Sequence, residues 1–221
     1  MTTVAEPGYR KRIGYQAGLL GGFTTLAAAL LILGNDSTHE TIARREANDM
    51  LQSLSQVLPA STHDNNLLDD AILIEDGSKP PVTVYRARKE DHITGFAFRA
   101  TAHGYGGDIQ LILGVTPEGE LLGVRVLSHT ETPGLGDKIE VLKDDWILGF
   151  NGLSLQNTPE PVWRVKKDGG RFDAFSGATI TPRGVVQAVH QSLTFFDAHR
   201  DELVTMNGDA EAAPPHTGTI P

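Results

Sequence analysis

The sequence predicts an α+β protein: a single N-terminal apolar helix, then a domain built on a largely antiparallel sheet with packing helices. Three observations carry that expectation. No charged side chain occurs between Arg12 and Asp36. Four segments of alternating apolar and polar residues follow between 82 and 127, joined by short links. Helical periodicity returns only after the strands, at 138–146 and 182–196, so strands come first and the closing helix later, unlike the regular alternation of a parallel βαβ sheet.

Composition narrows the function classes. The 221 residues carry 28 acidic and 19 basic side chains, a formal charge of −9, which disfavours nucleic acid because its binding rests on Lys and Arg neutralising phosphates. With 39% apolar residues the chain can build a core. Cysteine is absent, and with it disulfides, zinc–thiolate sites and Cys-ligated iron–sulfur clusters. Redox chemistry would then need an organic cofactor or a haem held by His or Met. The eight His residues show no ligand spacing, so no metal site is expected.

The run IGYQAGLLGGFTTLAAALLILGN, starting at Ile13, is long enough for the ~30 Å hydrocarbon core of a bilayer at ~1.5 Å per helical residue. We assign residues 13–34 to a transmembrane anchor, with Gly18, Gly21 and Gly22 available for close helix packing. The rival reading, a cleaved signal, needs small residues at the end of the run; here Ala27, Ala28 and Ala29 lie inside it. Arg10, Lys11 and Arg12 precede the anchor while Asp36 and Glu40 follow it, so residues 1–12 are expected in the cytoplasm and everything after the anchor on the outer face, the periplasm of a bacterium.

Residues 35–69 read as an amphipathic helix and linker. Ser37 and Glu40 have the spacing of a capping box, Ile42, Ala47, Met50, Leu51, Leu54, Val57 and Leu58 recur at helical intervals, and Pro59 ends the run. The strands expected at 82–88, 93–102, 109–115 and 121–127 form a meander with one buried face, the last two joined by the turn-forming Thr116-Pro117-Glu118-Gly119-Glu120. Helices are expected at 138–146 and 182–196; the second presents Val185, Val186, Val189, Leu193 and Phe196 on one side. The folded domain is expected over 70–200, and residues 201–221, rich in Ala, Pro, Gly and Thr, read as a disordered tail.

Two glycine-marked loops have the character of ligand loops: HTETPGLGD at 129–137 and DAFSGATITP at 173–182. Pro133 presets one torsion, Gly134 and Gly136 permit close backbone approach, and Gly177-Ala178 strip bulk from beside Thr179. Thr181 followed by Pro182 has the pattern of an N-cap and first helical residue, and a helix start favours a nearby anion. Turn and cap roles alone would explain the same residues, and neither loop has the spacing of a P-loop or dinucleotide fingerprint. No general acid–base pair or activated nucleophile is visible, so no catalytic residue is assigned.

Taken in order behind one anchor, GYGG at 104–107, GVRV at 123–126, HTETPGLG at 129–136 and DAFSGATITP at 173–182 resemble the FMN-binding G subunits of Rnf-type ion-translocating electron transport complexes. The C subunit of the sodium-pumping NADH:quinone reductase is a close relative of that family. The chain length, Phe175, and Ile180-Thr181-Pro182 favour the G subunit.

The resemblance implies an exported FMN-binding domain with FMN joined through a phosphoester to Thr179, making the chain a covalent flavoprotein. Asp173, Ser176, Gly177 and Ala178 complete the modification motif, Asp173 for recognition by the modifying enzyme. Thr181 is the competing attachment site. Glu131, Thr132, Leu135 and Tyr105 are candidates to touch the flavin; Tyr105, Gly106 and Gly107 could equally shape a strand-entry turn. His129 could serve the flavin or a hydrogen bond within its loop, and Trp146 and Trp163 could stack on the ring or belong to the core.

The implied function is electron relay, as one component of an assembly rather than a stand-alone enzyme, in an inner-membrane complex coupling ferredoxin and NAD to ion movement. Other membrane subunits and a flavin transferase are the implied partners. The alternatives are a component akin to the C subunit of the quinone reductase, a flavin-free scaffold, and a free-standing flavin reductase.

Overall fold

The computed structural model describes residues 13–75, 80–90 and 92–205, the side chains of 32–43 excepted. The basic triplet at 10–12, the Ser37 and Glu40 side chains and residues 206–221 lie outside the described part. Element order is α1 (Ile13–Ser55), β1 (Ala71–Ile74), β2 (Val82–Lys89), β3 (His92–His103), β4 (Asp108–Val115), β5 (Leu121–Ser128) and α2 (Ile180–Thr205). This is the α+β arrangement expected: an N-terminal apolar helix, an antiparallel sheet and packing helices. Two compact units divide after Asn48.

The first unit is the greater part of α1. Ile13–Leu31 is long and apolar enough to cross a membrane, and none of it is buried by other residues. Inside it the Thr24 and Thr25 hydroxyls donate to the carbonyl of Gly21, at 3.0 and 2.8 Å, so neither needs water. The helix runs without interruption through residue 37 to Ser55, so no second helix begins at Ser37 as the capping-box spacing suggested.

The second unit is a five-stranded antiparallel sheet in sequence order, β1-β2-β3-β4-β5. Its register sets Ile72 opposite Val84, Val84 opposite Phe98, Phe98 opposite Leu113 and Leu113 opposite Val124. These side chains share one face, and α2 covers them with Val185, Val189, Leu193 and Phe196. Phe196 lies 5.3 Å from Phe96 and stacks on Phe98 at 6.4 Å, centroid to centroid. Gly184 permits the close approach, because a Cβ there would overlap the carbonyl oxygen of His103 at the end of β3.

The opposite face is buried as well, a correction to the one-faced meander. Met50, Leu54, Val57 and Leu58 with Leu67 cover Tyr85, Ala87, Ala97 and Ile112. Gly114 makes room for them, since a Cβ would overlap the Val57 carbonyl. The pattern in β4 is legible afterwards: Leu111, Ile112, Leu113, Gly114 and Val115 are all buried, a run suited to a strand covered on both sides.

Four strands fall within a few residues of their expected positions; β1 was not foreseen. Thr116-Pro117-Glu118-Gly119-Glu120 joins β4 to β5, closed by Thr116 N–H to Glu120 O at 2.8 Å, with Gly119 at φ +85°. The helix expected at 138–146 is absent: Gly136–Ile139 and Trp146–Phe150 are short 3₁₀ segments with turns between them. Helix α2 extends past its expected end to Thr205, and Leu203 is buried, so residues 201–205 belong to the fold.

An ion cluster ties the segment before β1 to the sheet. Arg86 is fully buried; its Nε donates to Asp70 Oδ1 at 2.7 Å and its Nη2 pairs with the same carboxylate, whose other oxygen meets Arg88 Nε. Removing one member strands a buried charge. Asp70→Ala is expected to cost about 3–5 kcal/mol in denaturant unfolding; a loss below about 1 kcal/mol would place the pair among surface ion pairs.

Candidate functional site

Three chain segments meet beside the start of α2: the 104–107 turn between β3 and β4, the 129–137 loop leaving β5, and the 173–179 loop. The carboxylate of Glu131 joins the first two of them to the first turn of α2. Glu131 is 5% exposed; Oε1 accepts from the Gly106 amide at 2.8 Å, and Oε2 accepts a short hydrogen bond from the Thr181 hydroxyl. Glycine at 104 and 136 is required here, because a Cβ at either would overlap a Glu131 carboxylate oxygen. Thr130 adds a second tie, its hydroxyl donating to the Gly106 carbonyl at 2.9 Å.

The third segment turns sharply before the helix. The Ala178 amide bonds to the Phe175 carbonyl at 3.1 Å, and Gly177 takes φ +80°, the positive torsion a type II turn demands at its third residue. A Cβ on Gly177 would lie 3.6 Å from Leu135 Cδ2, so the two glycine-marked loops face one another. Trp146 supports this turn from below: its ring is 5.2 Å from Phe175, and its indole N–H donates to the Asp173 carbonyl at 2.9 Å.

Thr179, not Thr181, occupies the helix cap. Helix α2 begins at Ile180, and the first intrahelical bond is Arg183 N–H to the Thr179 carbonyl at 3.3 Å. Thr181 is instead fully buried in the first turn, its hydroxyl committed to Glu131. The predicted cap was thus displaced by two residues: Thr-Pro is a good helix start, but the buried carboxylate claimed the Thr181 oxygen. Thr179 is half-buried, and its hydroxyl bonds to none of the described residues. A 26-residue helix therefore opens at a hydroxyl-bearing residue, with amides of its first turn preceding the intrahelical ladder.

A network of charged groups braces the 129–137 loop. His129 Nδ1 accepts from the Glu131 amide at 3.0 Å, which assigns the ring proton to Nε2, 2.7 Å from Glu140 Oε1. Lys143 bridges Glu140 at 2.6 Å and the buried Asp137 at 3.0 Å. The Gly134 amide, then the Lys143 ammonium, hold the Asp137 carboxyl below its usual range; Lys143, then His129, do the same for Glu140. Glu140 and Asp137 in turn raise Lys143. Arg183 pairs with Asp168 at 2.7 Å and Lys166 with Asp173 at 2.7 Å, so the basic 164–171 segment is held against both the helix start and its preceding loop.

The expected site residues divide into two groups. Thr179, Ser176, Gly177, Ala178 and Leu135 gather on one exposed to half-buried surface, with Asp173 at the loop's beginning. Glu131 sits beneath, its two oxygens turned to protein donors, while Thr132 is exposed and its carbonyl accepts from Leu135 and Gly136. Tyr105 is 72% exposed on the joined turn. His129 takes the structural role, both ring nitrogens being engaged. Trp163 is core, 5% exposed with its N–H on the Thr158 carbonyl, and Trp146 is the brace under the turn. Sequence reasoning missed the Glu131–Thr181 bond and the Asp137–Glu140–Lys143 bridge. Acidic residues beside paired glycines were the available signal for the first.

Residues 104–194, which contain all three segments, match the FMN-binding domain family. The G subunit of the ion-translocating oxidoreductase complex of Cereibacter sphaeroides is 52% identical over 186 residues, 84% of this chain and 85% of that protein. The protein of the same name from Stutzerimonas stutzeri is 50% identical over 187 residues, 85% of this chain and 82% of that one. The crystal structure of the C subunit of the Na(+)-translocating NADH-quinone reductase from Parabacteroides distasonis shares the fold, with a TM-score of 0.50 and 18% identity over 73% of this chain and 94% of that one.

The loop network carries a pH dependence. Asp137 and Glu140 have folded-state values below the unfolded ones, so their contribution is present above the ordinary carboxyl range and fades as pH falls below about 4. The raised Lys143 contributes below its ordinary range and loses that contribution above about pH 10.4. Lys143→Met should therefore lose thermal stability less steeply than the unsubstituted chain between about pH 5 and 3. Superimposable slopes would show that the bridge contributes nothing.

Proposed function

The chain belongs to the G-subunit family of ion-translocating oxidoreductase complexes, and from that premise we propose that it is a membrane-anchored electron carrier whose FMN is joined by a phosphoester to Thr179. The observation that carries this reading is the Thr179 hydroxyl: half-buried at the N-terminus of α2, on a turn opened by Gly177, and unclaimed by the described residues. Full burial of Thr181 and its bond to Glu131 argue against the competing attachment site.

The residues fit such a group. Gly134, at φ +78°, has open space where a side chain would stand, and Gly177 meets only the Leu135 side chain, so the exposed surface over both loops is free of bulk beside Thr179. The Ile180 and Thr181 amides precede the first intrahelical bond, and a helix N-terminus stabilises a neighbouring anion by roughly 0.3–1 kcal/mol at an exposed site. Trp146, Phe172 and Phe175 form an aromatic floor that keeps the turn in place. When bound, FMN supplies the redox chemistry. The protein holds the ring, shields one side and leaves another open to donor and acceptor.

Attachment is a phosphoryl transfer. Thr179 Oγ1 loses its proton and forms the bond to the FMN-side phosphorus of FAD while the bond to AMP breaks, under a flavin transferase. A permanent link suits a domain outside the cytoplasm, where dissociated flavin would be diluted beyond recapture. The positive triplet at 10–12 supports an amino terminus in the cytoplasm and a sheet domain in the periplasm, with α1 available to the complex's other membrane subunits.

Denaturing electrophoresis tests the assignment, because covalent flavin fluoresces in the protein band. The unsubstituted chain, made with its transferase, should fluoresce. Thr179→Ala should not, while keeping its unfolding transition within about 1 kcal/mol, since a half-buried loop hydroxyl contributes little. Persistent fluorescence of Thr179→Ala would falsify the attachment site, and a colourless unsubstituted chain would favour the scaffold reading.

A further inference from the structure

The two oxygens of Glu131 reach donors 25 residues before it and 50 residues after it, one on the turn after β3 and the other on the first turn of α2. Thr181 is two residues beyond Thr179 on the first turn of α2. The Gly106 amide belongs to the turn that closes β3 onto β4, a fixed part of the sheet. A carboxylate buried this deeply needs such donors, and losing either leaves an uncompensated acceptor. The bond to Thr181 also explains why the helix starts at Ile180 instead of two residues later.

We infer that Glu131 is the positioning residue for flavin attachment: by clamping the first turn of α2 to the 104–107 turn, it presents the Thr179 hydroxyl for transfer before any flavin is bound. This rests on Thr179 as the attachment site. Glu131 acts through Thr181 and Gly106 and makes no contact with the incoming phosphoryl group. The clamp works through hydrogen-bond geometry, not charge. A glutamine fits the same space, its carbonyl accepting from the Gly106 amide and its NH₂ donating to the Thr181 oxygen. Alanine cannot bridge, and Thr181→Val keeps the bulk but removes the donor.

The test uses the full chain in detergent with FAD, magnesium and a flavin transferase, reading the initial rate of covalent fluorescence. Glu131→Ala and Thr181→Val should label roughly tenfold or more slowly, because small misplacements of a reacting group cost rates of that order. Glu131→Gln should label close to the unsubstituted rate. A second readout needs no flavin: amide exchange at Gly106 should accelerate in Glu131→Ala and stay slow in Glu131→Gln, with the amides of β3 and β4 protected in both.

Full-rate labelling of Glu131→Ala, or Glu131→Gln as slow as Glu131→Ala, overturns the inference. Thr179→Ala run in parallel separates the two claims. Label persisting there overturns the attachment site and the inference with it, whereas its loss there beside full labelling of Glu131→Ala overturns the inference alone.

Discussion

A single buried carboxylate organises the functional end of this protein. Burying a charge is unfavourable unless hydrogen bonds replace the lost water, and Glu131 meets that demand from two segments remote from one another in the chain. The surrounding residues follow from it. Gly104 and Gly136 are small because the carboxylate fills the space a side chain would take. Thr181 surrenders its usual capping role to supply a donor, and Thr179 thereby becomes the residue at the mouth of the helix.

Such a clamp is useful only if its two jaws are rigid. One jaw, the 104–107 turn, closes the β3–β4 hairpin and is held by its ladder of paired residues from Phe96–Val115 to His103–Asp108 and by the Gly104 amide on the Gly107 carbonyl at 2.8 Å. The other, the start of α2, is fixed by the contact of Gly184 with β3 and by the row of apolar side chains down to Phe196 and Leu203. The 173–179 loop is the least regular part, and it leans on the ring of Trp146 and the ion pair of Asp173 with Lys166. A loop carried on an ordered scaffold is the usual arrangement for a binding residue, because the backbone freedom it needs would weaken a strand or helix interior.

Where the sequence was misleading, tertiary competition was the cause. Ile139, Leu142 and Trp146 have helical spacing, yet Ile139 is buried while Leu142 is 94% exposed, so they never shared a face. Asp144 instead caps the Trp146 amide at 2.9 Å and Lys143 is drawn back to Glu140 and Asp137, which breaks the stretch into turns. Ser37 and Glu40 have capping-box spacing within an unbroken helix, where no free amides remain to be capped. The second buried face of the sheet was hidden because its cover, Met50 to Leu58, lies far from β4 in the chain.

From the chain alone came the apolar helix, four strands, the β4–β5 turn, the body of α2 and the two glycine-marked loops, since each is a local matter of periodicity, torsional freedom or length. Motif resemblance added FMN and the family, which the relatives then supported. Only the tertiary structure decided which threonine lies at the helix mouth, what Glu131 and His129 bind, and that Trp146 underpins a turn while Trp163 belongs to the core. Those outcomes depend on groups tens of residues apart competing for the same hydrogen-bond partners and the same dry space, and no local pattern records who wins.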